Sequence, residues 1–593
     1  MSTDFDTIRK RAQEYVSRER DEQFRGEVEA LLERTDEKEL TDRFYTNLEF
    51  GTGGLRGVIG GGYNRMNPFI IRQATQGLAN YVLAHGDKGD DGGLRAVIAH
   101  DSRRYSDRFA LEAALVLGAN GIKTYLFPGL RPTPELSFAV RRLGASLGIV
   151  VTASHNPPEY NGYKVYWSDG SQIVAPHDTG IIEEVRKVTD DIRTLSEDDA
   201  KGRGVLEYLD TDMDDRFVEM VKRASIRPEL LKEHGGDVTV VYTPLHGTGA
   251  MLVERVLGES GVKVITVPEQ REPDGEFPTV EKPNPEEGPA LKMAVDLGRK
   301  ERADMVMGTD PDADRLGIAV PEGDDFRLIT GNELGVLLVD YIFSSRKELG
   351  TLPERPAFVT TIVTTDLQRR VARHYGAEVY DTLTGFKHIA SLMRKFETDP
   401  NGPTFVAGDE ESYGYLLTPE VRDKDAISAV LLTTEMTLYH VEQGKSVIDR
   451  LNEIYREHGF FVDIQISRYF QGRQGAQIME GMMDTLRGAP PKTLAGETVT
   501  EMRDYLSHAT TTFPDGKRRE DIDLPASNVL QFVLADGTVV SARPSGTEPK
   551  IKFYASIPGS PGKAVEKQAP AVRAKADRLN REITAMLDAA EGA

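Results

Sequence analysis

Cysteine is absent from the 593 residues, which excludes disulfides, thiolate metal sites and a cysteine nucleophile. Tryptophan occurs once, and no apolar stretch approaches the roughly 20 residues of a membrane-spanning helix. Positive charge is in deficit. The 73 Lys and Arg stand against 95 Asp and Glu, a formal net charge of −22, which argues against nonspecific binding to nucleic acid or an anionic membrane. An anionic ligand must therefore be held by locally clustered basic groups. The first residues lack a basic region followed by an apolar run, so neither a secretory nor a transit signal is read there, and a cytoplasmic location is expected.

Three familiar motifs are also missing. A serine-hydrolase elbow around Ser154 would need glycines where Thr152 and Asn156 stand. The glycine-rich run 51–57 lacks the Gly-Lys-Ser/Thr of a nucleotide-binding loop. The acidic run starting at Asp310 is not an EF-hand, because Arg315 and Pro321 occupy the sixth and twelfth positions, where glycine and a bidentate glutamate belong.

What is present is periodic. The chain exceeds what one hydrophobic core supports, and about 150 residues per domain suggests about four domains. Apolar runs at 95–99, 122–127 and 147–151 alternate with helical patterns at 107–119 and from Thr133, a βαβαβ pattern that implies a parallel, doubly covered sheet. Strands at 237–242, 262–267, 304–307 and 316–320, with a helix at 249–257, mark a second α/β unit, and 268–287 reads as a long loop. A third has strands at 357–363 and 378–381 and helices at 366–375 and 424–443. The last part differs: strands at 461–469, 529–534, 538–542 and 551–556 are joined by short turns, which predicts an antiparallel sheet closed by a helix at 563–587. The expected fold is three related α/β domains (1–205, 206–325, 326–455) with mixed or parallel sheets, plus an α+β domain (456–593).

Four loops carry chemistry. Ser154-His155-Asn156-Pro157-Pro158 follows a strand at its carboxyl end, where ligands bind such sheets, and Lys164 stands ten residues on. Asp310, Asp312 and Asp314 alternate in one short loop between strands. At about 5 Å and an effective dielectric near 20, each pair repels by roughly 3 kcal/mol, so a bound cation is the simplest relief. Three carboxylates that leave other positions open suit Mg²⁺, which commonly shares its shell with a phosphate oxygen. The loop 408–414, with Glu410, Glu411 and Ser412, offers hydrogen bonds to sugar hydroxyls. Arg543, Ser545, Gly546, Thr547 and Lys550 combine a guanidinium, hydroxyls, amides and an ammonium suited to a phosphate dianion. Taken singly, each loop also fits an ordinary turn.

Together, and in this order along the chain, these motifs closely resemble those of the α-D-phosphohexomutase superfamily, specifically its phosphoglucomutase branch. The resemblance runs from Arg56 to Lys550. It implies four domains around a central cleft, with Ser154 as the phosphorylated serine and as a metal contact beside Asp310, Asp312 and Asp314, the ligands of one Mg²⁺. It places Arg56, His155 and Arg315 near the phosphate and makes Lys164 and Lys424 the proton-transfer and ligand-binding candidates. Glu410 and Ser412 would read the sugar, Thr384, Gly385 and Lys387 would belong to a further substrate segment, as would 422–425, and Arg543, Ser545, Gly546 and Thr547 would hold the phosphate that is not reacting. Pro311 and Ala313 stand where many relatives have glycines.

The implied activity is the interconversion of α-D-glucose 1-phosphate and glucose 6-phosphate, with glucose 1,6-bisphosphate as intermediate and activator. Partners would be small sugar phosphates, and the protein a monomer or homodimer. The phrase 50–56 with 64–67 resembles a subgroup that includes phosphopentomutases, so ribose or deoxyribose 1-phosphate is an alternative substrate, as is mannose phosphate. A serine phosphatase, a sugar-bisphosphate synthase and a noncatalytic scaffold are the remaining alternatives.

Overall fold

The run Leu-Gly-Ile-Val-Val contains no polar side chain, and a strand of that kind needs cover on both faces. It forms strand Leu147–Val151, buried at every residue, inside a six-stranded sheet. A computed structural model describes residues 5–51, 53–89, 91–470, 472–545 and 550–591. The chain divides into two units, the first comprising Met1–Thr330, Ala390–Gly402 and Tyr413–Tyr439, the second Gly331–Ile389, Pro403–Ser412 and His440–Ala593.

In the first unit the six-stranded sheet runs in the order Gly54–Val58, Tyr160–Trp167, Leu147–Val151, Arg95–His100, Lys123–Leu126, Leu206–Tyr208. The last four are parallel, as their alternation with helices predicts. Two strands that the sequence reading did not include, Tyr160–Trp167 and Gly54–Val58, add to this parallel core through antiparallel pairings and make the sheet mixed. The reason is chain length: residues 152–159 are too few for a crossover, which needs about a dozen or more residues, so the chain turns straight back. Ser154 lies in that return.

Three helices precede this sheet and were not anticipated from sequence: Phe5–Arg18, Glu22–Arg34 and Glu37–Phe44. Their apolar residues recur at helical spacing (Ile8, Ala12, Tyr15; Phe24, Val28, Leu31; Leu40, Phe44) and bury against Tyr63 and Phe69. Asp21 and Asp36 cap two of them by accepting from backbone N–H groups in the first turn. The highly charged opposite faces mask the signal in a composition reading.

A five-stranded sheet follows, ordered Asp325–Ile329, Leu316–Glu322, Met305–Thr309, Thr239–Thr243, Lys263–Thr266. Met305–Thr309 and Leu316–Glu322 pair antiparallel with Thr309 opposite Leu316, which pinches residues 310–315 into a tight loop. Segment 268–287 is irregular apart from the short helix Pro268–Arg271.

In the second unit, Pro356–Thr361 is flanked in parallel by Glu378–Thr382 and Thr404–Glu410, beside helices Gly331–Glu348 and Asp366–His374. The C-terminal sheet is antiparallel, ordered Phe461–Tyr469, Lys550–Pro558, Val539–Pro544, Leu530–Leu534, Glu497–Asp504, Ala509–Thr512, Arg518–Arg519. Helices Gly472–Gly488 and Val565–Glu591 belong to the same domain. Strand Glu497–Asp504 escapes a sequence reading because only Val499, Met502 and Asp504 of its eight residues are buried. The architecture is three α/β domains with mixed sheets followed by an antiparallel α+β domain.

Candidate active site

Ser154 has φ +52, a left-handed conformation that costs a non-glycine residue roughly 1–2 kcal/mol. Such strain persists only where neighbours over-determine the backbone, and here they do. Ser154 N–H donates to Thr152 Oγ1 (2.8 Å), and Thr152 Oγ1–H in turn donates to Asp101 Oδ2 (2.6 Å). The wholly buried Arg103 donates to four carbonyls of the same loop: Pro157 O (2.9 Å), Tyr160 O (3.1 Å), Ser154 O and Asn156 O. Its Nε lies 3.3 Å from Asp101 Oδ2. One guanidinium thus fixes the turn, and sequence reasoning missed it. The signal was Asp101-Ser102-Arg103 at the carboxyl end of strand Arg95–His100, next to the strand that delivers Ser154.

The serine hydroxyl donates to Asp310 Oδ2 at 2.6 Å and lies 3.1 Å from His155 Nδ1. Asp310, Asp312 and Asp314 are buried, and one oxygen of each lies within 4.8 Å of the others. Asp310 Oδ1 accepts the N–H groups of Asp314 (3.1 Å) and Arg315 (3.0 Å), which folds the loop on itself. Ala313 takes φ +48, the conformation that glycine adopts without penalty.

Two lysines offset the acid. Lys164 Nζ donates to Asp312 Oδ2 (2.7 Å) and Asp314 Oδ2 (3.4 Å). Lys424 Nζ lies 3.1 Å from Asp314 Oδ2 and donates to Asp423 Oδ1 (3.0 Å), whose other oxygen accepts Tyr166 Oη–H (2.7 Å). Burial and the two neighbouring aspartates push the Asp310 carboxyl well above its ordinary range. Burial would raise Asp312 too, but Lys164 beside it prevails and holds that carboxyl far below. Burial, then Arg315 and Arg56, keep His155 well below the usual imidazole range, so its ring is neutral near pH 7. Arg315 pairs with Glu286 and has Nε 3.8 Å from Asp314 Oδ1. Arg56, on strand Gly54–Val58, sits opposite Gly162 of the strand that carries Lys164.

Asp312 Oδ1 and Asp314 Oδ1 are buried and, among the described residues, accept no hydrogen bond. Two orphaned carboxylate oxygens beside a third buried carboxylate are a donor set that a divalent cation satisfies. The trio can hold a metal.

The first unit therefore brings together Ser154, His155, Lys164, Arg56, Arg315, the three aspartates and Lys424. Within segment 422–425, Arg422 is buried against Glu397 and Pro419 O, and Asp425 caps the helix beginning at Ala426 by accepting from Ile427 and Ser428 N–H. Lys424 is the member that reaches the carboxylates, and Asp423 pairs with it. In the second unit, Glu410 Oε1 accepts Gly385 N–H (2.7 Å), which joins two of the expected sugar segments, with Thr384 and Lys387 half-buried alongside in sequence. Burial, then Glu410, raise the neighbouring Glu411 carboxyl to about 7. Ser412 is half-buried, as are Arg543 at the end of strand Val539–Pro544 and Ser545, whose N–H donates to Lys550 O (2.7 Å). Gly546 and Thr547 lie outside the described residues. Among the described residues no helix is long and apolar enough to cross a membrane.

Comparison with known proteins places the chain in a class. Three phosphoglucomutase/phosphomannomutase α/β/α domain models match in order: domain I at residues 47–191, domain II at 215–323 and domain III at 330–458. A phosphoglucomutase of Staphylococcus haemolyticus (strain JCSC1435) is 35% identical over 519 residues, covering 87% of this chain and 91% of the relative. One of Staphylococcus aureus (strain MRSA252) is 35% identical over 539 residues, covering 89% and 93%. The fold is shared with solved structures of a Paramecium phosphoprotein, parafusin (TM-score 0.68, 17% identity, 92% of this chain and 95% of that one), and of a Burkholderia thailandensis phosphoglucomutase/phosphomannomutase family protein (TM-score 0.63, 20% identity, 92% and 98%). The chain belongs to the α-D-phosphohexomutase superfamily, as a member of its phosphoglucomutase/phosphomannomutase family. It is a phosphohexomutase, an intramolecular phosphotransferase acting in sugar-phosphate metabolism.

Proposed function

We propose that the protein interconverts α-D-glucose 1-phosphate and D-glucose 6-phosphate through a phosphorylated Ser154. The observation that carries this reading is the strained serine hydroxyl held 2.6 Å from Asp310 at the edge of a buried carboxylate trio. An alcohol in that place is positioned for covalent phosphoryl storage beside a chelated cation.

Asp310, Asp312 and Asp314, with an oxygen at Ser154, would hold Mg²⁺. Bound there, the ion supplies charge neutralisation for the phosphoryl group and for the carboxylates that keep Lys164 protonated. The sugar hydroxyl attacks phosphorus, its new P–O bond forms as the bond to Ser154 Oγ breaks, and the Lys164 ammonium passes a proton to the departing Ser154 Oγ while taking up the hydroxyl's proton in exchange. Arg315 and Arg56 face the phosphate oxygens, and the neutral His155 orients Ser154 Oγ. The resulting glucose 1,6-bisphosphate returns its other phosphoryl group to Ser154, and the same lysine relays the proton of the attacking Ser154 hydroxyl to the departing sugar oxygen. Glu410 with Gly385 would read sugar hydroxyls, and Arg543 and Ser545 would grip the second phosphate.

Glucose is preferred over pentose because the Staphylococcus relatives are phosphoglucomutases. The residues 64–67 that resemble the phosphopentomutase subgroup also have structural work here: Arg65 pairs with Asp42, and Asn67 caps helix Pro68–His85 while binding Gly60 and Gly62 carbonyls. Their presence therefore does not by itself call for a pentose. Turnover on glucose 1-phosphate and on ribose 1-phosphate, with glucose 1,6-bisphosphate present, tests the reading. The expected result is kcat/KM at least tenfold higher for glucose, and near-complete loss with both sugars in Ser154→Ala. A reversed sugar preference would assign the protein to pentose phosphate, and undiminished turnover by Ser154→Ala would refute the covalent role.

A further inference from the structure

Asp312 differs from its two neighbours in how its carboxylate is held. Its Oδ2 accepts the Lys164 ammonium and, at 2.9 Å, the hydroxyl of Thr133; its Oδ1 is buried and, among the described residues, accepts nothing. Thr133 is wholly buried and is the first residue of helix Thr133–Arg142. Its N–H donates to the carbonyl of Asp312 itself (2.9 Å), so one residue grips both the main chain and the side chain of a single aspartate. Two contacts from one rigid residue fix a carboxylate's rotation, because main-chain anchoring sets the Cα and the hydroxyl then selects which oxygen turns away.

Thr133 is itself held in place. Arg131, two residues earlier, donates to both oxygens of Asp214 (2.7 and 2.9 Å) and through its N–H to His100 O (3.0 Å), so the segment entering the helix is anchored from both sides.

We infer that Thr133 is a positioning residue for the metal site: its hydroxyl turns Asp312 so that Oδ1 faces the space shared with Asp310 and Asp314. The inference rests on the assignment of the aspartates as metal ligands. Partners that orient a ligating carboxylate typically change metal affinity by about 10- to 100-fold when removed. Thr133→Val keeps the side-chain shape and deletes the donor, and Thr133→Ser keeps the donor and deletes a methyl.

The test is Mn²⁺ binding to the full chain, followed by the electron paramagnetic resonance signal of free Mn²⁺, for the wild type, Asp312→Asn, Thr133→Val, Thr133→Ala and Thr133→Ser. One site abolished in Asp312→Asn is expected in the wild type. Thr133→Val and Thr133→Ala should weaken it at least about tenfold, and Thr133→Ser should restore it to within about threefold. Metal-free melting temperature should not follow this order, since a merely structural role would rank the variants by packing. A wild-type protein with no Asp312-dependent site overturns the metal assignment and this inference with it. Wild-type affinity in both Thr133→Val and Thr133→Ala, or a Thr133→Ser variant as weak as Thr133→Val, overturns the inference alone.

Discussion

At the residue scale, the candidate site is built from side chains with two duties. Arg103 carries a positive charge into the protein and spends it on four backbone carbonyls, and burial holds its pKa below the usual range even with Asp101 beside it. Arginine suits this task because its planar fork presents several donors at once, whereas lysine offers one point charge. Arg103→Lys should therefore leave the fold intact by circular dichroism while letting the serine turn relax from its strained conformation. The expected outcome is a fall in kcat on the order of 100-fold with sugar KM changed little. Steady-state kinetics measure it, and a kcat within a few-fold of wild type would show that the turn is held by other contacts.

Ser154, the three aspartates and Lys164 were legible in the sequence, because carboxylate spacing and a serine at a strand end have few other uses in combination. Arg103 and Thr133 were not. Each acts through hydrogen bonds to distant backbone, and nothing in a local window distinguishes a buried clamp from a surface arginine or an ordinary helix start. In segment 422–425, four polar residues in a row look alike in sequence, yet Arg422 and Asp425 bind neighbouring chain, Lys424 reaches the carboxylates and Asp423 pairs with it.

At the scale of elements, three helix N-termini converge on the acidic loop. Thr133 N–H, opening helix Thr133–Arg142, donates to Asp312 O (2.9 Å). Thr248 N–H, at the cap of helix Gly249–Glu259, donates to Pro311 O (2.8 Å), and Ala426 N–H, at the start of the helix from Ala426, donates to Ala313 O (3.3 Å). The first N–H groups of a helix have no partner within it and carry its partial positive charge. Here they bind a loop with three carboxylates, so the same contacts fix the backbone and offset repulsion. Gly247 makes the approach possible, since a Cβ there would lie 2.3 Å from Pro311 Cα. Gly247→Ala must displace the loop, and it should lower activity more than tenfold, raise the Mg²⁺ concentration for half-maximal rate and cost about 1–3 kcal/mol of stability. A Mg²⁺ titration of turnover with a thermal melt checks this, and wild-type Mg²⁺ dependence would mean that the loop tolerates the shift.

At the scale of the whole molecule, alternating apolar runs and helical patterns were enough to give three α/β domains and an antiparallel C-terminal domain. What escaped was set by tertiary context. The antiparallel return at 152–159 follows from a connection too short to cross over, and the charged helices at 5–44 bury only one narrow face. The order of the loops carried the family resemblance. A net charge of −22 leaves anion recognition to a few clustered basic residues, and Lys164, Lys424, Arg56 and Arg315 are basic residues gathered at the candidate site of the first unit. The account stands on Ser154 as the carrier of the migrating phosphoryl group. Intact-mass measurement of the protein after incubation with glucose 1,6-bisphosphate and Mg²⁺ tests it most directly. The predicted result is a gain of one PO₃ group, mapped by fragmentation to Ser154 and absent in Ser154→Ala. A protein that turns over sugar phosphate at full rate without ever carrying that group on Ser154 would contradict the account.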